Sequence, residues 1–293
     1  MEFRQLKTFV VIAKLGSFVQ AADRLGYAQS TITNHIQTLE NEIGVRLFER
    51  LGHRVMLTDQ GRSFLPYAKQ VLKLTSEALE VIANPAVPNG KLTIGTNETL
   101  GTYRIPKLLQ AYRTAYPEVE MILKFSNCNR ICDYIRKNEI DVGLIITDKI
   151  ADADLVVEDI SCEQMFFLAA PDHPIALKKI VKPSDLAEAC IILTESGCSY
   201  RLAIEKILKD FRISPLSFLE ASSVELIKQL LILGMGISML PGFAVEKELA
   251  ESQMRIICWH GPIPKFQVQM LHHKNKWKSQ ALQAFLEMTP RFL

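Results

Sequence analysis

The sequence predicts a mixed α/β protein built in series: a small, mainly helical domain of the winged helix-turn-helix type, a long linker helix, and a two-lobed α/β domain. Three observations predict it. Residues 1–62 carry apolar positions at helical spacing in short runs, each stopped by a glycine. Residues 63–89 continue as a long apolar stripe that ends in the Pro-containing segment Asn84-Pro85-Ala86-Val87-Pro88-Asn89. Residues 90–293 hold a weak internal repeat whose copies each read strand, helix, strand, helix, strand. At 293 residues the chain also exceeds what one hydrophobic core ordinarily serves.

The elements follow in order. Leu6, Phe9, Val10 and Ala13 recur at helical spacing, and Gly16 stops that helix. Ser17 is placed to cap a second helix carrying Phe18, Ala21, Ala22 and Leu25, in which the two alanines permit a close helix crossing. Gly26-Tyr27 turns into a third helix with Ile32, Ile36 and Leu39 on one face, the skeleton of a helix-turn-helix. Leu47-Phe48 and Arg54-Val55-Met56-Leu57 flank the Gly52-His53 turn and predict a two-stranded wing. Thr58 then stands at an N-cap position, with Asp59 in the first turn of the long helix. Its stripe (Phe64, Leu65, Ala68, Val71, Leu72, Leu79, Ile82) is long for a helix outside a domain, so a second copy of the chain is expected to cover it.

In the first copy of the repeat, strands are expected at 92–96, 119–125 and 142–146, with helices at 105–115 and 131–137. A polar turn ending in Tyr103-Arg104 follows the first strand. In the second copy, strands are expected at 191–194, 216–219 and 236–240, with helices at 202–211 and 224–233; the matching turn ends in Tyr200-Arg201. Two such halves predict two parallel-sheet lobes with a cleft between them, lobe I comprising 90–161 and 267–293 and lobe II comprising 162–266.

Composition narrows the function classes. Hydrophobic residues make up 48% and charged residues 23%, the balance of a globular protein, and the net charge of +2 does not by itself announce nucleic acid. Residues 1–10 already carry Glu2, Arg4 and Lys7 without a signal-peptide core, and the apolar stretch 230–245 is broken by Gly234, Gly236, Pro241 and Gly242, so a cytoplasmic protein without membrane contact is expected. The six cysteines are scattered, and Cys128 and Cys132 have no second close pair, so no metal site is expected. The sequence holds no Gly-x-Ser-x-Gly, His-Glu-x-x-His or phosphate-loop motif; neither enzyme activity nor a cofactor is expected.

Two sets of residues carry the chemistry. On the third helix, Gln29, Ser30, Thr31, Thr33, Asn34 and Gln37 project away from the apolar face, and no carboxylate interrupts them before Glu40. Gln and Asn can bond base edges in a major groove, and hydroxyls can serve a base or a phosphate. Arg50, His53 and Arg54 group around the wing, where they would hold phosphate or enter a minor groove. In the two-lobed domain the turns beyond the strand ends carry Thr96, Asn97, Thr99, Ser126 and Asn127 in one lobe, and Thr194, Ser196, Ser199 and Ser222 in the other. Free backbone N–H groups at such turns favour a small anionic effector, while Glu98, Glu195 and Glu220 leave a polar or cationic one open. Cys198 sits where a helix should begin, a position that lowers a thiol pKa, and is a candidate redox residue.

The series Leu6, Phe9, Gly16-Ser17-Phe18, Ala21-Ala22, Leu25, Gln29-Ser30, Ile36, Leu39-Glu40, Gly44, Leu47-Phe48, Arg50, Leu57-Thr58 and Gly61 resembles, in order and spacing, the signature of the LysR-type transcriptional regulators. Later landmarks are similar to that family too: Gly90-Lys91-Leu92-Thr93-Ile94-Gly95, Asp141-Val142-Gly143-Leu144, and Gly234-Met235-Gly236-Ile237 before Pro241. The resemblance implies a DNA-binding domain at 1–62, a linker and dimerisation helix with hinge at 63–89, and a periplasmic-binding-protein-like (type 2) regulatory domain at 90–293. It further implies a homodimer or homotetramer, an interrupted inverted repeat in double-stranded DNA, activation or repression tuned by a small effector, and contact with RNA polymerase. Thr33 and Asn34 depart from the Ser-Arg of many members, so the operator sequence does not carry over; the hydroxyl of Thr33 is expected to keep its role. Peroxide-sensing members make a redox role for Cys198 an alternative, although 203–219 holds no second cysteine. The two-lobed part alone also resembles an exported solute-binding protein.

Overall fold

The computed structural model describes residues 1–51, 54–83 and 87–293; the side chains of residues 50, 51, 54, 77 and 80–83 lie outside that description. The chain divides into two compact units, Met1–Pro85 with Lys137–Glu139 and Ala86–Arg136 with Ile140–Leu293.

In the first unit, α1 (Phe3–Leu15), α2 (Phe18–Leu25) and α3 (Gln29–Ile43) precede a two-stranded wing, β1 (Phe48–Leu51) and β2 (Arg54–Leu57), and the long helix α4 (Asp59–Ala83). Gly16 ends α1 at φ 64°, a left-handed conformation that a side chain disfavours. Ser17 then caps α2, its Oγ accepting from Gln20 N at 3.3 Å. Leu6, Phe9, Ala21, Ile32, Leu39 and Leu47 are buried in one core, with the Phe9 ring 5.3 Å from Phe48 and 5.4 Å from Phe64. Thr58 caps α4 by accepting from Gly61 N at 2.9 Å and ties it to the wing by donating to Arg46 O at 2.7 Å. Position 61 must be glycine, because a Cβ there would stand 2.1 Å from the Leu47 carbonyl oxygen. The long helix thus begins at Asp59, ahead of the expected linker start at 63, and Phe64, Leu65, Ala68, Val71 and Leu72 pack into the first unit's own core. Farther along, Leu74 and Leu79 are exposed.

The second unit runs β3 (Gly90–Thr96), α5 (Glu98–Tyr103), α6 (Ile105–Ala115), β4 (Val119–Phe125), α7 (Cys128–Arg136), β5 (Val142–Thr147), β6 (Leu155–Glu163) and β7 (Met165–Ala169). It continues through β8 (Cys190–Leu193), α8 (Ser199–Asp210), β9 (Ser217–Glu220), α9 (Val224–Ile232), β10 (Ser238–Pro241), α10 (Glu246–Ala250), β11 (Arg255–Ile256), β12 (Phe266–His273) and α11 (Gln280–Met288). Lobe I is a five-stranded sheet in the order β4-β3-β5-β12-β6. Its first three strands are parallel, and β12 returns antiparallel to both neighbours. Lobe II repeats the plan in fragments: β8 and β9 are parallel, β10-β7-β11 is antiparallel, and a single parallel bridge, Ile191 to Ile237, joins the two pieces.

Four expectations are corrected here. The lobes hold mixed rather than purely parallel sheets, because β12 and β7 run against their neighbours. The turn ending in Tyr103-Arg104 is helical from Glu98, since the extended N-cap Asn97 starts α5 immediately, and the turn ending in Tyr200-Arg201 gives way to α8 at Ser199, after its extended N-cap Cys198. The third strand of lobe II begins at Ser238 rather than 236; Gly236 instead presses its backbone on Cys190, whose carbonyl oxygen a Cβ would approach to 2.4 Å. The lobe boundaries expected at 161/162 and 266/267 fall inside β6 and β12, where Glu163 still pairs with Phe266.

Candidate nucleic-acid interface and effector cleft

The apolar stripe of α3 fixes what its other face presents. Ile32, Ile36 and Leu39 are fully or almost fully buried, which leaves Gln29, Ser30, Asn34 and Gln37 exposed and Thr31 and Thr33 half-buried. The Thr33 hydroxyl donates to the Gln29 carbonyl at 3.0 Å. Its proton is therefore committed to the helix, and Thr33 presents a methyl and a remaining lone pair rather than a donor. This revises the role expected for that hydroxyl.

Glu40 is a residue that the composition of α3 pointed to only by contrast, as the first acid after a run without any. Its Oε1 accepts from Leu47 N at 2.7 Å and from Phe48 N at 3.1 Å. The carboxylate ties the end of the helix to the first strand of the wing. His35 plays a similar internal part, with Nδ1 2.9 Å from the Thr8 hydroxyl and its ring edge-on to Tyr27 at 5.5 Å. At the wing, Arg50 pairs with Val55 and Arg54 with Leu51 along the strands, but the two arginine side chains and all of His53 lie outside the described residues.

Between the two lobes of the second unit lies a cavity of about 260 Å³. Asn97, Thr99, Ser126 and Asn127 line it from lobe I, and Thr194, Ser199 and Ser222 from lobe II. Seven of the nine expected effector residues therefore meet. Two do not: Thr96 is fully buried with its Oγ1 bonded to Asn97 O at 3.2 Å, and Ser196 is exposed outside the lining. Glu98, Phe125, Cys128, Glu195, Cys198 and Val224 complete the wall.

The cleft's polar groups are largely engaged with one another. The Glu98 carboxylate crosses to lobe II, accepting from Ser223 Oγ at 2.9 Å and from Val224 N at 3.0 Å. It takes the first N–H of α9, one of the groups that favoured an anionic effector. Ser199 Oγ donates to Thr147 Oγ1 at 2.7 Å, and Asn127 Oδ1 accepts from Arg130 N at 3.0 Å. Asn97 Oδ1 is buried without a hydrogen-bond partner, and the buried Thr194 hydroxyl faces the Cys198 thiol.

Behind the cleft, the ammonium of Lys228, 4% exposed, reaches Glu248 at 2.7 Å, Glu225 at 3.0 Å and the Tyr103 hydroxyl at 3.1 Å. Burial disfavours its charge, but these partners outweigh it and hold its pKa above the usual lysine range. Burial, then the bond to Glu225 at 2.7 Å, push the Tyr103 phenol up to about 12.

Burial also pushes the Cys198 thiol up, although the N–H groups of Tyr200 and Arg201 act in the other direction. The expected helix-terminus activation is thus outweighed by desolvation. Cys128, on the same cavity wall, is pushed up to about 12 by burial. Among the described residues no three His, Cys, Asp or Glu side chains gather as a metal site, and no helix is long and apolar enough to cross a membrane.

Residues 3–62 match the family model of bacterial regulatory helix-turn-helix proteins of the lysR family, and residues 85–292 match that of the LysR substrate binding domain. The chain belongs to the LysR family. This LysR-family protein is a DNA-binding transcription regulator with an effector-binding domain. It is 37% identical over 290 residues to the HTH-type transcriptional regulator YwqM of Bacillus subtilis strain 168, covering 99% of this chain and 98% of that one. Full-length CbnR complexed with its target DNA shares the fold, with a TM-score of 0.71 at 24% identity over 100% of both chains. The CcmR regulatory domain of Synechocystis PCC6803 in complex with 2-PG matches with a TM-score of 0.62 and 27% identity, covering 70% of this chain and 98% of that one.

Proposed function

We propose that this LysR-family regulator reads duplex DNA with the exposed face of α3, and that a small effector entering the cavity between its lobes tunes that binding. The observation that carries the first half is the α3 face itself. Its hydrogen-bonding side chains project free of carboxylates because Glu40, the first acid along it, is turned inward onto the wing. In this reading Gln29, Thr31, Thr33 and Asn34 meet base edges in the major groove, with Gln37 beside them, while Ser30, Arg50, His53 and Arg54 hold the backbone. Asn34 is neutral, so this helix contributes specificity more than phosphate neutralisation.

The exposed Leu74 and Leu79 of α4 support a homodimer or homotetramer joined through that helix, and two readers so paired would suit an interrupted inverted repeat. RNA polymerase is the expected downstream partner, the cytoplasm the expected location, and no enzymatic step is assigned. The neighbours seen with target DNA and with 2-PG support a reader and a sensor on this fold.

The test is titration of the full chain against promoter fragments selected from its own genome and against scrambled duplexes, at several salt concentrations. A selected fragment should bind roughly 10³-fold tighter or more than its scrambled version. Equal affinity for both would remove the sequence-reading claim.

A further inference from the structure

The cleft holds three features that point the same way. First, each helix end that opens on it is capped by one of the protein's own groups. Glu98 takes Ser223 Oγ and Val224 N at the start of α9, Asn127 takes Arg130 N at the start of α7, and the Cys198 sulfur faces the N–H groups of Tyr200 and Arg201 at the start of α8. Second, among the described residues the charged ones of the wall are Glu98 and Glu195, and no Lys, Arg or His lines the cavity. Third, Asn97 Oδ1 is a buried acceptor without a partner, and the Thr194 hydroxyl, 6% exposed on the same cavity wall, can accept as well as donate.

A carboxylate or phosphate entering this space would share the α9 N-terminus with the Glu98 carboxylate and face Glu195 on the same wall, while Asn97 Oδ1 would stay unpaired. A ligand that donates hydrogen bonds and carries positive charge pairs with the two carboxylates and with Asn97 Oδ1, and Glu98 offsets the positive end of α9 that would otherwise repel it. The volume of about 260 Å³ suits a small metabolite rather than a drug-sized molecule.

We infer that the cleft selects a small cationic amine, its ammonium or guanidinium seated against Asn97 Oδ1 and Thr194 Oγ1 and balanced by Glu98 and Glu195. This rests on the reading of the cavity as the effector site. Glu98 is the specificity-determining residue: its carboxylate fills the anion slot of the opposite lobe and supplies the counter-charge. The same contact joins lobe I to lobe II, so a cation drawing on Glu98 also acts on the bond that holds the lobes together.

The experiment uses the full-length protein and four probes at matched ionic strength: putrescine, agmatine, malonate and inorganic phosphate, read by thermal unfolding and titration calorimetry. Putrescine or agmatine should raise the unfolding midpoint saturably and bind with measurable heat, while malonate and phosphate leave the wild type unchanged. Glu98→Gln, which keeps an oxygen acceptor for α9, should weaken the amine at least about tenfold, the size expected when one close charge partner is removed; Asn97→Ala should weaken it too. Glu98→Ala should newly admit malonate or phosphate.

Saturable malonate or phosphate binding to the wild type that Asn97→Ala abolishes would overturn the amine class yet keep the cleft as the effector site. Absence of any saturable amine effect on the wild type would likewise overturn the amine class. Amine binding untouched by both Asn97→Ala and Glu98→Gln would place the ligand elsewhere and overturn both readings.

Discussion

The two polar surfaces of this regulator are built on opposite principles. Along α3, Gln29, Ser30, Asn34 and Gln37 stand exposed, and the polar residues that bond internally there, Thr33, His35 and Glu40, bond within their own unit. In the cleft, Glu98 and Ser199 spend their hydrogen bonds across the lobes and Asn127 on its own helix, while behind it Tyr103 joins Glu225 and Lys228 across the lobes. The difference teaches how each surface meets its ligand. A reader can present its donors and acceptors to water and exchange them for base edges at little cost. A sensor must make its ligand compete with existing internal bonds, and that competition is how binding acquires a mechanical consequence.

Substitutions that break the internal bonds should therefore cost stability in the sensor and leave the α3 surface intact. The largest effect is expected at Lys228. Lys228→Met leaves Glu248, 9% exposed, without its cation, and should destabilise the second unit by about 3 kcal/mol in chemical unfolding. A change under about 0.5 kcal/mol would show that the cluster carries no net stability.

Glu40→Ala comes next, because it orphans Leu47 N and Phe48 N at the root of the wing. A loss of about 1–3 kcal/mol in stability of the first unit is expected, with Glu40→Gln recovering part of it. Unchanged unfolding in Glu40→Ala would mean that water replaces the carboxylate freely.

The cysteines separate the surfaces by reactivity. Burial raises the pKa of Cys128 and Cys198, whereas Cys162 and Cys258 are exposed. Alkylation at neutral pH followed by peptide mass spectrometry should label the exposed pair more than about tenfold faster. Preferential labelling of Cys198 would revive thiol sensing.

The smallest effect is expected at Thr33. Because its hydroxyl proton already serves Gln29 O, Thr33→Val should change DNA affinity by no more than about 0.5 kcal/mol. A larger loss would show that the hydroxyl meets DNA directly.

What was legible in the sequence follows the same division. The α3 face was readable because period and burial are local: Ile32, Ile36 and Leu39 dictate where Gln29 and Asn34 must point. The cleft residues were readable as a set because a repeated strand-turn-helix unit delivers its turns to one edge, bringing Asn97, Ser126, Thr194 and Ser222 to one cavity. Thr96 failed since it is the last residue of β3 and faces the core, and Ser196 since it sits out on the loop before α8.

What sequence could not supply were partners far apart in the chain. Nothing in the local pattern around Glu98 says that it caps a helix beginning at Val224, or that Lys228 finds Tyr103 and Glu248. Such pairings depend on how two lobes close, and the proposed amine departs because of them from the anionic effector that bare helix ends suggest. The thiol of Cys198 shows the same limit: its helix position was visible, its burial was not.

Sequence reading by α3 underlies everything else proposed for this regulator. Selecting bound duplexes from a random library with the wild type and with Gln29→Ala tests it in one step. The prediction is that the variant's motif loses base preference at one position of each half-site, by roughly 1–3 kcal/mol, while the other positions persist. An unchanged motif, or a uniform weakening at every position, would contradict it.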